Sequence, residues 1–145
     1  MGEPAILPFD WADPFDLDHQ LTDEERMVRD TAESYAQDKL QPRVTEAYLN
    51  ENFDREILRE MGGLGLLGAT IPEEYGGAGL PLSAAAAILE EIQHAGANGA
   101  ACHAQMYVMG TVLRHGNDAQ KKKYLPQIAS GKLRLQAFGV TEPTS

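Results

Sequence analysis

Polar caps at one end and glycines at the other divide this chain into segments of helical period, which restricts most of its length to a bundle of helices. Thr22-Asp23-Glu24-Glu25 has the form of a capping box. The Thr22 hydroxyl accepts from the backbone N–H three residues on, Glu25 reaches back, and the acidic side chains sit at the positive end of the helix dipole. The helix starting there carries Val28, Thr31, Ala32, Tyr35 and Ala36 on one stripe, continued by Leu40, Val44, Ala47 and Tyr48. One face is therefore expected to be buried throughout. Pro42 lacks a donor and is expected to kink this helix or split it. Asp54 caps a short second helix through Met61, with Ile57, Leu58 and Met61 on a shared face, and the glycines that follow end it. Residues Gly62 to Gly79 read as a glycine-rich connector. Ser83 opens a third helix, whose run from Ala84 to Ala87 lets a neighbouring helix approach closely, and Gly96 ends it. A fourth, Asn98 to Arg114, is nearly free of charge and is expected to lie at the centre, buried on most sides. His115-Gly116-Asn117-Asp118 makes a turn and cap. A fifth helix, Ala119 to Ala129, turns Tyr124, Leu125 and Ile128 inward before Gly131 stops it.

Beyond Gly131 the period changes. Leu133, Leu135, Ala137 and Phe138 alternate with other residues in the manner of a strand, so a β-domain is expected to begin here. The fold class expected is all-α, with the first strand of a following β-domain. The expected division is an extended arm over residues 1–20 lying on the body, a helical domain over 21–131, and the start of the β-domain over 132–145. On that reading the chain is the opening part of a larger protein. At 145 residues with 43% hydrophobic content it is long enough to bury a real core. A net charge of −10 repels phosphate backbones and anionic headgroups, so nucleic acid and membrane surfaces are set aside as partners. No run approaches about 18 apolar residues, the length a membrane span needs. A single cysteine, Cys102, and a first segment without targeting character point to a reducing compartment. That compartment is a bacterial-type cytoplasm, or the mitochondrial matrix in a eukaryote.

The isolated motifs do not name a reaction. Gly63-Leu64-Gly65-Leu66-Leu67-Gly68 has the spacing of a dinucleotide fingerprint, but a helix precedes it where a strand is required, so it reads as helix termination and turn. His94, Cys102, His103 and His115 do not place two ligands on one helical face, and no metal is expected. Cys102 reads as a small buried filler. His103 must be either a satisfied core histidine or a pocket-lining residue. The pairs Glu73-Glu74 and Glu90-Glu91 read as solvated surface.

Taken together, three motifs in order carry more. Ala69-Thr70-Ile71-Pro72-Glu73-Glu74-Tyr75-Gly76-Gly77, Gly116-Asn117-Asp118-Ala119-Gln120-Lys121-Lys122-Lys123-Tyr124-Leu125-Pro126 and Phe138-Gly139-Val140-Thr141-Glu142-Pro143 resemble the acyl-CoA dehydrogenase family. The resemblance runs over nearly the whole chain. Phe9-Asp10-Trp11-Ala12-Asp13-Pro14 and Lys39-Leu40-Gln41-Pro42-Arg43-Val44 resemble more narrowly its glutaryl-CoA dehydrogenase branch. What the resemblance implies is an N-terminal helical domain, a β-domain and a C-terminal bundle in a homotetramer or homodimer, with FAD between domains. The implied chemistry is α,β-dehydrogenation of an acyl-CoA thioester with hydride transfer to flavin N5, reoxidised by an electron-transfer flavoprotein. The implied cofactor-facing residues are Phe138, Gly139, Val140, Thr141, Thr144 and Ser145, and the implied substrate-facing ones are Asn98, Gly99, His103 and Ser145. The family's catalytic glutamate belongs to the C-terminal bundle, and no residue here matches it.

One departure bears on the substrate. Where the glutaryl branch has an arginine for the distal carboxylate, this chain has Asn98, and a neutral amide cannot make a bidentate charge-assisted contact. A plain acyl chain therefore fits better. An acyl-CoA oxidase or flavin monooxygenase of the same fold, and a noncatalytic helical interaction module, are the alternative readings.

Overall fold

The computed structural model describes residues 9–135 together with 139, 143 and 144. Six α-helices form the body: α1 (Asp23–Tyr35), α2 (Gln41–Leu49), α3 (Glu56–Gly63), α4 (Leu82–His94), α5 (Ala100–His115) and α6 (Asp118–Ala129). Short 3-10 turns lie at Asp18–Gln20 and Glu73–Tyr75, and none of the described residues is in a strand. No helix among the described residues is long and apolar enough to cross a membrane.

The local start signals act as the sequence leads one to expect. Thr22 accepts from the Glu25 backbone at 3.3 Å while the Glu25 carboxylate accepts from the Thr22 backbone at 2.8 Å. Asn117 and Gln120 repeat the device at the start of α6, with both bonds at 2.9 Å. Asp54 accepts from the Glu56 backbone at 2.9 Å and so ties off the start of α3. Ser83 does something else. The helix it was expected to open begins at Leu82 behind Pro81, and the Ser83 hydroxyl instead donates to the Glu25 carboxylate. Glu25 is thereby shared between the first turns of α1 and α4, and is only 3% exposed.

The α1–α4 pair is the most extensive helix contact. Ala32 on α1, Ala36 just past its end, and Ala84, Ala87 and Ile88 on α4 are all buried, and small side chains of this kind let two backbones come close. Around this seam the core gathers Leu58 and Met61 from α3, Met109 from α5, and Leu125 and Ile128 from α6. Each such side chain contributes about 1.5–3 kcal/mol on full burial. The connector after α3 belongs to the same core. Leu66, Leu67, Ala69 and Ile71 are buried, and the loop is folded back by bonds from Gly79 to Ile71 and from Leu80 to Ala69, both 2.8 Å.

The helical run is not interrupted at Pro42. A five-residue π segment, Ala36–Leu40, links α1 to α2, closed by the Gln41 N–H donating to the Ala36 carbonyl five residues back. Pro42 then falls in the first turn of α2, where its missing N–H is not needed. The buried stripe ends at Leu40. Beyond it no residue of α2 is buried and Tyr48 is 82% exposed, contrary to the expectation of one face buried throughout.

Two further expectations are corrected. On α5 only Cys102, Gln105 and Met109 are buried. That helix is covered on one face, chiefly by α6, because lack of charge permits burial without supplying a neighbour on every side. The aromatics of the first segment do not lie on the body: Trp11 is 87% exposed, and Phe9 and Phe15 are exposed as well. The segment is tied down instead by Asp18, which pairs with Arg29 and lies 3.7 Å from Arg26. Residues 133–135 carry no strand assignment. The remainder of the expected strand, 136–138, lies outside the described residues.

The ends of α3 and α6 meet backbone to backbone at two glycines. A β-carbon on Gly62 would collide with the Ser130 carbonyl group, and one on Gly131, at φ +71°, with the Leu58 carbonyl. Gly131→Ala is therefore expected to destabilise the protein by about 1–3 kcal/mol through steric conflict and positive φ. Gly63→Ala, with open space at its β-carbon, is expected to be stabilising by about 0.5–1 kcal/mol through helix propensity. Urea midpoints of the two variants, moving in opposite directions, check both.

Candidate functional site

Past Leu40 the apolar residues of α2 face open space rather than the seam. Between α2, α3 and the α4–α5 turn lies a cleft of about 970 Å³. One wall is Pro42, Val44, Ala47 and Tyr48; the opposite wall is Ile57, Leu58 and Met61; Ile92, Ala97, Asn98, Ala101 and Cys102 complete it. Phe53 stands at its rim under the Arg134 guanidinium, 5.6 Å from the ring centroid. The volume lies in the range of small-molecule sites, as do largely apolar walls with a few polar groups.

The polar groups are mostly spoken for. Arg43 donates to Glu60 at 2.8 Å and to Asp54 at 3.2 Å, and the Tyr35 hydroxyl donates to the same Glu60 oxygen at 2.6 Å. The Tyr35 bond, helped by Arg43 and opposed by partial burial, holds the Glu60 carboxyl below the usual glutamate range. Its bond to Glu60 pushes Arg43 up. Burial first, then Glu60, pushes Tyr35 up. One guanidinium thus faces two carboxylates, and Glu46 and Glu51 also line the cleft. Among the described lining residues Arg43 is the one Lys or Arg, and it is already paired; the Arg134 guanidinium stands over Phe53. Asn98 offers a neutral alternative. Its carboxamide oxygen accepts from the Ala100 backbone at 2.9 Å to begin α5, leaving the amide's two N–H donors as its remaining capacity.

Of the four substrate-facing residues expected from sequence, Ser145 lies outside the described residues and the other three part company. Asn98 lines the cleft. Gly99 is buried against Gln93, whose carboxamide would stand 3.1 Å from a β-carbon at that position. His103 is exposed, outside the cleft, with its ring edge-on to Tyr107 at 5.3 Å. It lies in neither the core nor this cleft, because the covered stripe of α5 runs through Cys102, Gln105 and Met109. Cys102 is buried, as expected of a small filler, and burial pushes its thiol up to about 12, which disfavours the thiolate. Among the described residues no cluster of His, Cys, Asp or Glu is arranged to hold a metal ion. Of the six cofactor-facing residues, Gly139 and Thr144 are exposed, while Phe138, Val140, Thr141 and Ser145 lie outside the described residues. The Tyr35–Glu60–Arg43 cluster was not legible in the sequence, since its members are 25 and 17 residues apart.

Residues 22–132 match the acyl-CoA dehydrogenase N-terminal domain. A mitochondrial isovaleryl-CoA dehydrogenase of Pongo abelii is 35% identical over 146 residues, covering 97% of this chain and 33% of the relative. A glutaryl-CoA dehydrogenase of Desulfococcus multivorans is 37% identical over 134 residues, 88% of this chain and 34% of the relative. Among solved structures, an acyl-CoA dehydrogenase of Bacillus anthracis complexed with FAD superposes with a TM-score of 0.73 at 35% identity, over 88% of this chain and 22% of that one. The chain thus spans about a third or less of the length of the relatives it matches.

Glu60 supplies a pH test. A carboxyl lowered in the folded state adds stability above its ordinary value near 4.5, and that stability is lost as pH falls through the folded value. Tyr35→Phe, which removes the larger lowering bond, is expected to reduce the urea midpoint at neutral pH. The difference from the parent chain should be smaller in acid, where Glu60 is protonated in both.

Proposed function

The chain belongs to the acyl-CoA dehydrogenase family, and from that membership we propose that it supplies the N-terminal helical domain of an FAD-dependent dehydrogenase acting on acyl-CoA thioesters. What carries this reading is a coincidence of limits. The matched region, 22–132, is the helical unit that begins at the Thr22 cap and ends just past Gly131. The Val140-Thr141-Glu142-Pro143 motif follows it directly in sequence.

FAD, when bound, supplies the acceptor for the β-hydrogen leaving as hydride. The exposure of Gly139 and Thr144 fits such a partner, since main-chain groups and a hydroxyl must be open to meet an isoalloxazine edge. The residues of this chain contribute binding and orientation. The α-proton acceptor is assigned to none of them, and Glu73 and Glu74 stand exposed on the 3-10 turn. In this reading the cleft at Asn98 takes the acyl chain. Its apolar walls suit a hydrocarbon, and its neutralised Arg43 and neutral Asn98 suit one without a distal carboxylate. An electron-transfer flavoprotein as acceptor and a homotetramer or homodimer complete the proposal.

The full-length protein is expected to be yellow and to bleach anaerobically when a saturated acyl-CoA is added. A colourless preparation that takes up no flavin would overturn the reading. Faster reoxidation by electron-transfer flavoprotein than by O₂ distinguishes a dehydrogenase from an oxidase. Asn98→Arg is expected to shift the ratio of kcat/KM for glutaryl-CoA over butyryl-CoA upward by about 10–100-fold, the value of one charge-assisted contact. An unchanged ratio would remove Asn98 from the substrate site.

A further inference from the structure

Among the described residues two polar side chains lie in the core, and Glu25 is accounted for by its cap. The other is Gln105 on α5, 0% exposed. Its amide nitrogen donates to the Leu133 carbonyl at 2.9 Å and its amide oxygen accepts from the Leu135 N–H at 2.9 Å. A carboxamide costs several kcal/mol to bury unless bonded. Here it is bonded to two main-chain groups that an extended chain presents on the same edge.

That is the pattern a residue of a parallel neighbouring strand makes with the residues on either side of its opposite number. Gln105 stands where such a residue opposite Arg134 would stand. A slip of the 133–135 segment by one residue turns both main-chain groups to the other edge and breaks both bonds, so the side chain specifies register and not merely proximity. Leu133 is further held through its N–H to the Gln127 carbonyl at 3.0 Å.

Phe138 follows Leu135 by three residues, a span of at most about 11 Å. On the same helix, Ala101 lines the cleft one turn before Gln105, about 6 Å along the axis. One rigid element therefore touches both the acyl cleft and the chain leading into the cofactor-facing motif. We propose that Gln105 is a positioning residue for flavin binding, which sets the register of 133–135 where the chain leads into the cofactor-facing motif. This rests on the functional reading above.

The test uses the flavin-loaded full-length protein and three variants: Gln105→Leu, Gln105→Glu and, as a control of equal burial on the same helix, Met109→Ala. Gln105→Leu is expected to lose hydrogen-exchange protection at the Leu135 amide. It should also weaken FAD binding about tenfold, the scale of one buried bond, and alter the visible circular dichroism of the bound flavin. Met109→Ala should lower Tm without those changes. Gln105→Glu, whose carboxyl is held protonated by burial and so can accept from Leu135 and donate its O–H to Leu133, should fall between and covers the case in which the leucine variant does not fold. Unchanged FAD affinity and dichroism in both Gln105 variants would overturn the proposal, as would equal changes in Met109→Ala. A wild-type protein without flavin would instead overturn the functional reading. The Leu135 exchange then decides the register claim alone: lost protection upholds it and retained protection overturns it.

Discussion

The seam between α1 and α4 is the contact around which the rest of this unit is arranged. Its residues are small, so the backbones come close and little apolar area is buried per residue. Its alignment is fixed by a polar device at one end, the Glu25 carboxylate shared between the first turns of both helices. A carboxylate at 3% exposure is tolerable because its oxygens accept from the Thr22 N–H and the Ser83 hydroxyl, and those bonds hold it below the usual glutamate range. α3, the buried connector and α6 then pack outward from the seam, and the glycine contact between the ends of α3 and α6 sets how closely they can do so.

Much of this was legible because it is local. The Thr22 box and the glycine at position 131 are settled by residues within one turn of each other, and the structure places them as the sequence does. The same holds for the cap at Asn117, which sits ahead of Gln120 as the sequence suggests. What the sequence could not supply is direction. An uncharged helix such as α5 has no polar face to say which side turns outward, so its burial depended on neighbours that only the fold brings. Ser83 looked like a local cap and is committed to a residue 58 positions away. Gln105 carries no pattern at all, since its partners are main-chain atoms 28 and 30 residues on.

The candidate site shows the same division. Asn98 lines the cleft, while His103, singled out because a titratable group on an apolar helix needs a reason, is exposed and outside it. The chemistry of the cleft comes from residues the sequence did not single out. Arg43 would be the natural receptor for a substrate carboxylate, but Glu60 and Asp54 already surround it. All three groups are only partly buried, so the pairing neutralises Arg43 without removing it from solvent.

The π segment at Ala36–Leu40 also bears on where the second half of this helical run faces. One extra residue in a turn advances everything downstream by roughly 100° around the axis. The side chains of α2 therefore do not keep the phase set by α1, and Val44, Ala47 and Tyr48 line the cleft beside α3 instead of extending the buried stripe. The segment marks the point at which one continuous run of helix passes from serving the core to walling a hollow.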